Sequence, residues 1–468
     1  MPEMRYKSLA ILTVSMFHVA GITGCHRMKG HVVTRPIQPE VTTEKAQTKT
    51  PAAERNIEPF ATFVLDGKPY CFTGSNNYYL TYQSKTMVDD VLDKAVSLGM
   101  TVLRTWAFID VGSFDDTVPH VDDQSEEKGT KNGVYFQYFD PESGDVRINE
   151  GPDGLQRLDY LLHACRQRGL KVILVLTNNW REMGGIDQYV AWYKAEHHHD
   201  FFTHEQIRNR FKRWIDALVH RVNTVDGVAF KEDPAIFAWE LGNELRCKNT
   251  KEFDADDGWD ETTIVTWATE MSGYIKTQDP NHLVGMGDEG FLGEAGGHWT
   301  RTAVDGVDHK ALSRIPSIDF VTFHLYPDNW QVETAFGAGW IRDHLAVARA
   351  FKKPVIMEEY NTKVTRDENR TIVEGWERRK AALSEWHGIM REEGGSGTLI
   401  WMLAGKDDVE GVYPDYDGYH FWADQPTGDL MRAHSERFGR EAAACMSVER
   451  LGNVAKSPFV STIQLEGQ

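Results

Sequence analysis

AIFAWELGNELR, residues 235–246, carries five apolar residues into Glu240 and then reaches a second glutamate, Glu244, four positions on. An apolar run without alternation is the mark of a parallel strand covered on both faces. Seven further runs of this kind are present: YCFTGSN (70–76), TVLRTWAF (101–108), KVILVLT (171–177), HLVGMG (282–287), DFVTFHLY (319–326), PVIMEEY (354–360) and GTLIWML (397–403). Helical periodicity lies between them. Val88, Val91, Leu92 and Ala95 share one face before the stop signal Gly99, and Leu155, Leu158, Leu161, Leu162 and Cys165 do the same before Gly169. Thr203 and Gln206 read as a capping box ahead of Ile207, Phe211, Ile215 and Leu218. Strand and helix thus alternate eight times, ending in a helix near 429–443. The expected fold is α/β, a (β/α)8 TIM barrel forming a single catalytic domain over 56–445, with 446–468 as a C-terminal tail.

The remainder of the 468 residues reads differently. Arg5 and Lys7 precede a short apolar run ending ITGC, so 1–25 reads as a signal peptide. The run is too short and wrongly flanked for a membrane span. Its lipobox-like Cys25 is the expected lipidation site and the only expected membrane contact. Residues 26–55, rich in Thr, Pro, Lys and Glu, read as a disordered tether. The expected location is secreted or anchored to the cell envelope, and the expected state a monomer. A net charge of −19 argues against a nucleic-acid partner, which requires a basic footprint. The other cysteines, at 71, 165, 247 and 445, are too widely spaced to suggest a metal site or a dense disulfide framework.

In a barrel, polar residues at the C-terminal ends of different strands converge on one mouth. Here these are Arg104, Asn178, Asn179, Asn243, Glu244, His324, Tyr326, Glu358, Glu359 and Trp401. Glycoside hydrolysis needs a protonated acid at the leaving oxygen and an ionised carboxylate at the anomeric carbon. Glu244 and Glu359 come from two different strands and match that need; a buried ion-pair network with Arg104 is the competing reading. Glu240 lies deeper and reads as a structural carboxylate. Adjacent side chains of a regular strand point to opposite faces, so Asn243 and Glu244 can share the mouth only if the chain twists or bulges near Gly242. Three long connections, 109–152, 178–203 and 404–427, follow strands and so rise around the mouth. Tyr413, Tyr416, Tyr419, Phe421 and Trp422 make the last a candidate cleft wall. GMGDEG (285–290) matches a dinucleotide fingerprint by letter but opens no amphipathic helix, and His197–His199 reads as a solvated loop. No cofactor or metal is expected.

The segments RTWAF (104–108), TNNW with GG (177–185), Asn243-Glu244, EGFLG (289–293), HLYPDNW (324–330) and EEY (358–360) together resemble glycoside hydrolase family 5, and most of all its β-mannanase branch. The resemblance implies Glu244 as acid/base and Glu359 as nucleophile of a retaining reaction. It implies Arg104, Asn243, Arg246, His324, Tyr326 and Trp401 as substrate-binding, and its motifs add Trp106, Asn179, Trp180 and Trp330. The implied partner is β-1,4-mannan, glucomannan or galactomannan. An exo-acting β-mannosidase, a β-1,4-glucanase and a non-catalytic glycan-binding lipoprotein are the alternatives. Arg104 and Tyr326 are expected to keep Glu359 ionised, whose charge then raises Glu244. Two departures stand out: Leu245 replaces the family's proline, and Asn361 its glycine.

Overall fold

The computed structural model describes residues 60–122, 128–248, 258–407, 411–450 and 462–463. The leader, the tether and Cys25 lie outside the described residues. Eight parallel strands form one sheet: β1 (Phe72–Asn76), β2 (Val102–Trp106), β3 (Lys171–Val175), β4 (Ile236–Glu240), β5 (Leu283–Gly285), β6 (Val321–Leu325), β7 (Val355–Tyr360) and β8 (Gly397–Ile400). Their order is β5-β4-β3-β2-β1-β8-β7-β6. The β5–β6 seam is bridged by Asp319 N–H to the Val284 carbonyl (2.8 Å) and His324 N–H to the Glu289 carbonyl (3.1 Å). The sheet is therefore a nearly closed barrel. A helix follows every strand: α1 (Lys85–Ser97), α2 (Gln156–Gln167), α3 (Glu205–Val219), α4 (Thr263–Gln278), α5 (His309–Arg314), α6 (Phe336–Phe351), α7 (Trp376–Glu393) and α8 (Pro426–Glu441).

The barrel interior is layered by strand alternation. Phe72, Val102, Ile173, Phe237, Leu283, Phe320, Ile356 and Leu399 form an apolar floor. Phe63, from a hairpin of Phe63–Leu65 and Lys68–Tyr70, plugs its lower end with edge-on contacts to Phe237 (5.0 Å) and Phe320 (5.7 Å). Moving up the strands by even steps replaces this floor with polar groups, Asn76 on β1, Arg104 on β2 and Glu358 on β7; on β4 the step from Phe237 to Glu240 is odd because the register shifts at Phe237. The polar layer sits where the mouth opens.

Several local expectations change. Thr203 ends a short helix, Asp200–Thr203, and its hydroxyl turns back to the His199 carbonyl, so it does not cap α3. The backbone of His204 leads into α3 with no side-chain cap. His198 and His199 are buried, not solvated. His198 is fixed between Asp187 (2.5 Å) and Asn179 (3.0 Å), and so supports the loop that carries Asn179.

A helix over Ala443–Arg450 runs across position 445, and Thr462–Ile463 pairs with the Phe63–Leu65 strand. Cys445 in that helix is disulfide-bonded to Cys71, which precedes β1, across a sequence separation of 374. Cysteine spacing along the chain carries no signal for a bond of this reach. Closing so long a loop restricts the unfolded chain and stabilises the fold by up to about 5 kcal/mol. Reduction, or a Cys71→Ser substitution, is expected to lower the thermal midpoint by about 5 °C or more. Melting curves with and without reductant check this; superimposable curves contradict it.

Candidate active site

Arg104 organises the site. Its guanidinium is fully buried and donates to Glu240 Oε1 (2.5 and 2.9 Å), Glu359 Oε1 (2.5 Å), Asn243 Oδ1 (2.9 Å) and Asn76 Oδ1 (3.1 Å). Glu358 Oε2 lies 3.8 Å from its Nε. Burial by itself would lower the guanidinium, but Glu240, Glu358 and Glu359 outweigh it and hold Arg104 above its ordinary range. Removing one partner of a buried ion cluster costs about 3–5 kcal/mol, because the charges left behind are uncompensated. Arg104→Ala is therefore expected to cut the thermal midpoint and the soluble yield sharply; a midpoint equal to the parent's contradicts this.

Two bulges aim the carboxylates. Between β6 and β7 the pairing steps from Phe323–Met357 to His324–Glu359, so Glu358 is an extra residue. Glu358 and Glu359 consequently both face the interior, where alternation would have split them. On β4 the extra residue is Phe237, since pairing steps from Val172–Ile236 to Ile173–Ala238. The bulge expected at Gly242 is thus displaced down the strand. Asn243 and Glu244 share the mouth by another device: Glu244 adopts a left-handed backbone, φ +54°. Such a conformation is uncommon for a residue with a side chain and persists only where neighbours fix it. Here Glu244 N–H donates to the Gly287 carbonyl (2.8 Å) and Asn243 N–H to the Thr177 carbonyl (2.9 Å). Gly287 itself has φ +79°, and a Cβ there would fall 2.5 Å from Glu240 Oε1. That explains one glycine of GMGDEG without any nucleotide.

Glu244 and Glu359 face each other. With His324 they offer atoms that all lie within 4.8 Å of one another. His324 Nδ1 bonds Glu244 Oε1 (2.6 Å), and Trp180 Nε1 donates to Glu244 Oε2 (2.7 Å). Tyr326 Oη donates to Glu359 Oε2 (2.8 Å). This trio is close enough to grip a cation, but the facing oxygens already accept from His324, Trp180, Arg104 and Tyr326. The other cluster of this kind among the described residues, Asp415, Asp417 and His420, is likewise committed. Arg366 holds Asp415 (3.2 Å), and Trp401 Nε1 donates to Asp417 (3.2 Å).

The expected charge split is reversed. Burial pushes Glu244 up, but the hydrogen bond and charge of His324, with Trp180 and Arg246, bring it below its ordinary value. Burial raises Glu359 and the charge of Glu244 adds to this, against the pull of His324, Arg104 and Tyr326. The reason is that His324 sits on Glu244, a choice of partner the sequence does not specify. Burial also opposes charge on His324, yet Glu359, Glu244 and Glu358 lift it well above 6.5. Glu359 nevertheless accepts a donor on each oxygen, the bonding pattern of a carboxylate.

The remaining candidates divide. Trp106 lies 4.8 Å from the Arg104 guanidinium and 6.2 Å from the Trp401 ring. Trp401 is half-buried and stacks on Tyr78 at 5.6 Å. Arg246 binds Glu289 (2.6 and 2.8 Å) and lies 5.4 Å from the Trp180 ring. Burial pushes Glu289 up to about 8, with the charge of Glu244 adding and Arg246 opposing. Asn179 is fully buried, its Oδ1 accepting from Arg246 N–H (2.9 Å) and bonded to His198. Trp330 is buried among Phe291, Trp299, Phe336 and Trp340, while Trp299 is the ring that remains 40% exposed. Tyr78, Asp417 and Glu289 each hold a candidate in place; Glu289 lies in the EGFLG motif and Asp417 in the 404–427 connection, but neither was itself among the candidates.

Both departures have local explanations. Leu245 is buried against Gly242, filling the turn with its side chain. Asn361 is not left-handed. Its amide instead donates to the carbonyls of Trp401 (2.5 Å) and Tyr419 (2.8 Å), clamping the Trp401 segment.

Residues 150–381 match the family model described as GH family 5 beta-mannosidase-like. Mannan endo-1,4-beta-mannosidase A of Podospora anserina is 36% identical over 341 residues, 73% of this chain and 80% of its own length. Mannan endo-1,4-beta-mannosidase F of Aspergillus fumigatus is 35% identical over 329 residues, 69% of this chain and 68% of its own. Among solved structures, the endo-beta-1,4-mannanase from Thermotoga petrophila superposes with a TM-score of 0.67 at 37% identity, covering 80% of this chain and 78% of that one. The endo-1,4-beta-mannanase from Rhizomucor miehei gives a TM-score of 0.70 at 33% identity, covering 81% and 99%. The barrel, the facing glutamates at its mouth and this extent of likeness lead to one conclusion: the chain belongs to glycoside hydrolase family 5, in its β-mannosidase-like group.

Proposed function

We propose that this chain is an endo-1,4-β-mannanase, cutting mannan, glucomannan or galactomannan by double displacement, with Glu359 as nucleophile and Glu244 as acid/base. The observation that carries the mechanism is the approach of the Glu244 and Glu359 carboxylates to within 4.8 Å. Retaining enzymes hold their carboxyls about 5–5.5 Å apart, whereas inverting ones leave room for a water at about 6.5–9.5 Å. Glu359 attacks the anomeric carbon while the Glu244–His324 pair, which shares one proton across 2.6 Å, protonates the departing oxygen through Glu244. Glu244 then takes a proton from the water that releases the glycosyl-enzyme. Arg104 and Tyr326 orient the nucleophile, and the Trp401 ring forms the platform under the reacting sugar.

Rings leading away on either side of the facing glutamates support internal cutting. Rings run from Trp401 through Tyr78 and Tyr413 to Tyr416, which is 69% exposed. Beside Glu244, Trp180, Arg246 and Phe291 lead to the exposed Trp299. Of the other rings of the 404–427 loop, Tyr419, Phe421 and Trp422 are buried, and Tyr413 is buried against Tyr79 (3.7 Å) beside the exposed Tyr416. Mannohexaose digestion tests the reading: mannobiose, mannotriose and mannotetraose are expected first, and mannose alone at early times contradicts endo action. Cellohexaose left intact under the same conditions is expected of a mannan enzyme.

The Cys71–Cys445 disulfide and the leader-like segment support work outside the cytoplasm. Cys25 is proposed as the anchor: Cys25→Ser is expected to move the protein from the membrane fraction to the medium, and an unchanged distribution contradicts this.

A further inference from the structure

Below the facing glutamates lies a second carboxylate pair that the chemistry above does not use. Glu240 and Glu358 are fully buried. Glu240 Oε2 and both Glu358 oxygens have no donor among the described groups, and neither does His324 Nε2 have an acceptor at hydrogen-bond distance. The two carboxyls lie side by side in hydrogen-bonding contact. Two buried carboxylates in such contact share a proton, since like charges so close cannot both ionise.

The surroundings say which carboxyl keeps it. Glu240, on β4, meets Arg104 from β2 and Glu358 from β7. Glu358 meets Arg104 at 3.8 Å and, from β6, His324 Nε2 at 3.5 Å. Burial drives Glu240 well up, and Glu358 adds to this against Arg104. Burial also raises Glu358, but Arg104, His324 and the bond from Glu240 bring it below its ordinary value. Glu358 Oε2 lies within ion-pair reach of two cationic groups, Arg104 and His324, and Glu240 of Arg104 alone, so Glu358 keeps its charge and the shared proton rests on Glu240. His324 then has a carboxylate on each side: Glu358 at Nε2, and Glu244 (2.6 Å) and Glu359 (3.6 Å) at Nδ1. A carboxylate within ion-pair distance of each nitrogen favours the imidazolium, which carries a proton on both.

We infer that Glu358 is a positioning residue for the hydrolysis: a carboxylate bridged to protonated Glu240, it holds His324 doubly protonated against Glu244. This rests on Glu244 being the acid/base. Glu358 touches no substrate atom; it acts through His324, keeping a proton within reach of the group that must deliver one.

The test is the pH profile of kcat/KM on mannohexaose with Glu358→Gln and Glu240→Gln, together with imidazole 15N NMR of His324. Glu358→Gln removes the charge behind His324, so the alkaline limb is expected to move about one pH unit or more to the acid side. Cleavage of an activated aryl β-mannobioside, which needs no acid assistance, is expected to fall much less. Glu240→Gln mimics the protonated acid and donates to Glu358, so its alkaline limb is expected to stay within about 0.3 units of the parent's. The parent's His324 is expected to show two protonated ring nitrogens at pH 7. A Glu358→Gln enzyme that is slower with both limbs unmoved overturns the inference, leaving a structural role. A neutral His324 in the parent also overturns it, whether or not the variants fold. Failure of the underlying reading is separate: it appears as a Glu244→Ala variant that releases no burst of aglycone from the activated substrate, its first step lost as fully as on mannohexaose.

Discussion

Glu359→Ala is expected to lower kcat on mannan by about ten-thousand-fold or more while the fold survives. In the proposed mechanism Glu359 alone forms the glycosyl-enzyme, and losses of this order follow removal of an attacking residue whose supporting groups act as a unit with it. The loss should be in kcat, because the proposed sugar contacts of Trp401, Trp180 and Arg246 are left in place. Stability should change little or rise. Alanine removes one of the two carboxylates packed against His324 Nδ1, and Arg104 keeps Glu240 and Glu358. Steady-state kinetics with a thermal melt reads both quantities. Activity above a few per cent of the parent, at an unchanged melting point, removes Glu359 from the role.

Glu244→Ala is expected to behave differently with each substrate. On mannan the departing sugar is a poor leaving group, and loss of general acid catalysis should cost about a hundred- to ten-thousand-fold. On an activated aryl β-mannobioside the first step needs no proton, so the glycosyl-enzyme should accumulate and turnover stall at its hydrolysis. Azide needs no general base and fits the space that the carboxylate vacates. It should restore turnover and yield a β-mannobiosyl azide. An inert response to azide, or an α-configured product, contradicts the double displacement.

Much of this was legible from residue order. Eight apolar runs alternating with helical stripes determine a barrel, and a barrel turns strand ends into a mouth, so Arg104, Glu244, His324, Tyr326 and Glu359 could be brought together on paper. What resisted was anything settled by one residue's displacement. The bulge at Glu358 and the left-handed Glu244 depend on how neighbouring strands pair, and no local pattern records that. His324 could have bonded either glutamate, and its choice of Glu244 reverses the expected charge split. Trp330 sits in a matching motif yet is consumed by packing, while Tyr78, which opens a short helix after β1, and Asp417, in the 404–427 connection, hold Trp401. A disulfide between Cys71 and Cys445 needed the two chain ends to meet below the barrel.

Covalent trapping bears most directly on the central claim. A 2-deoxy-2-fluoro β-mannosyl or mannobiosyl fluoride forms its glycosyl-enzyme quickly and releases it slowly, so the adduct can be digested and mapped by mass spectrometry. One label per chain, on Glu359 and not on the adjacent Glu358, is the result expected. A label on any other residue, or complete turnover of the inhibitor with no adduct at any time, contradicts it.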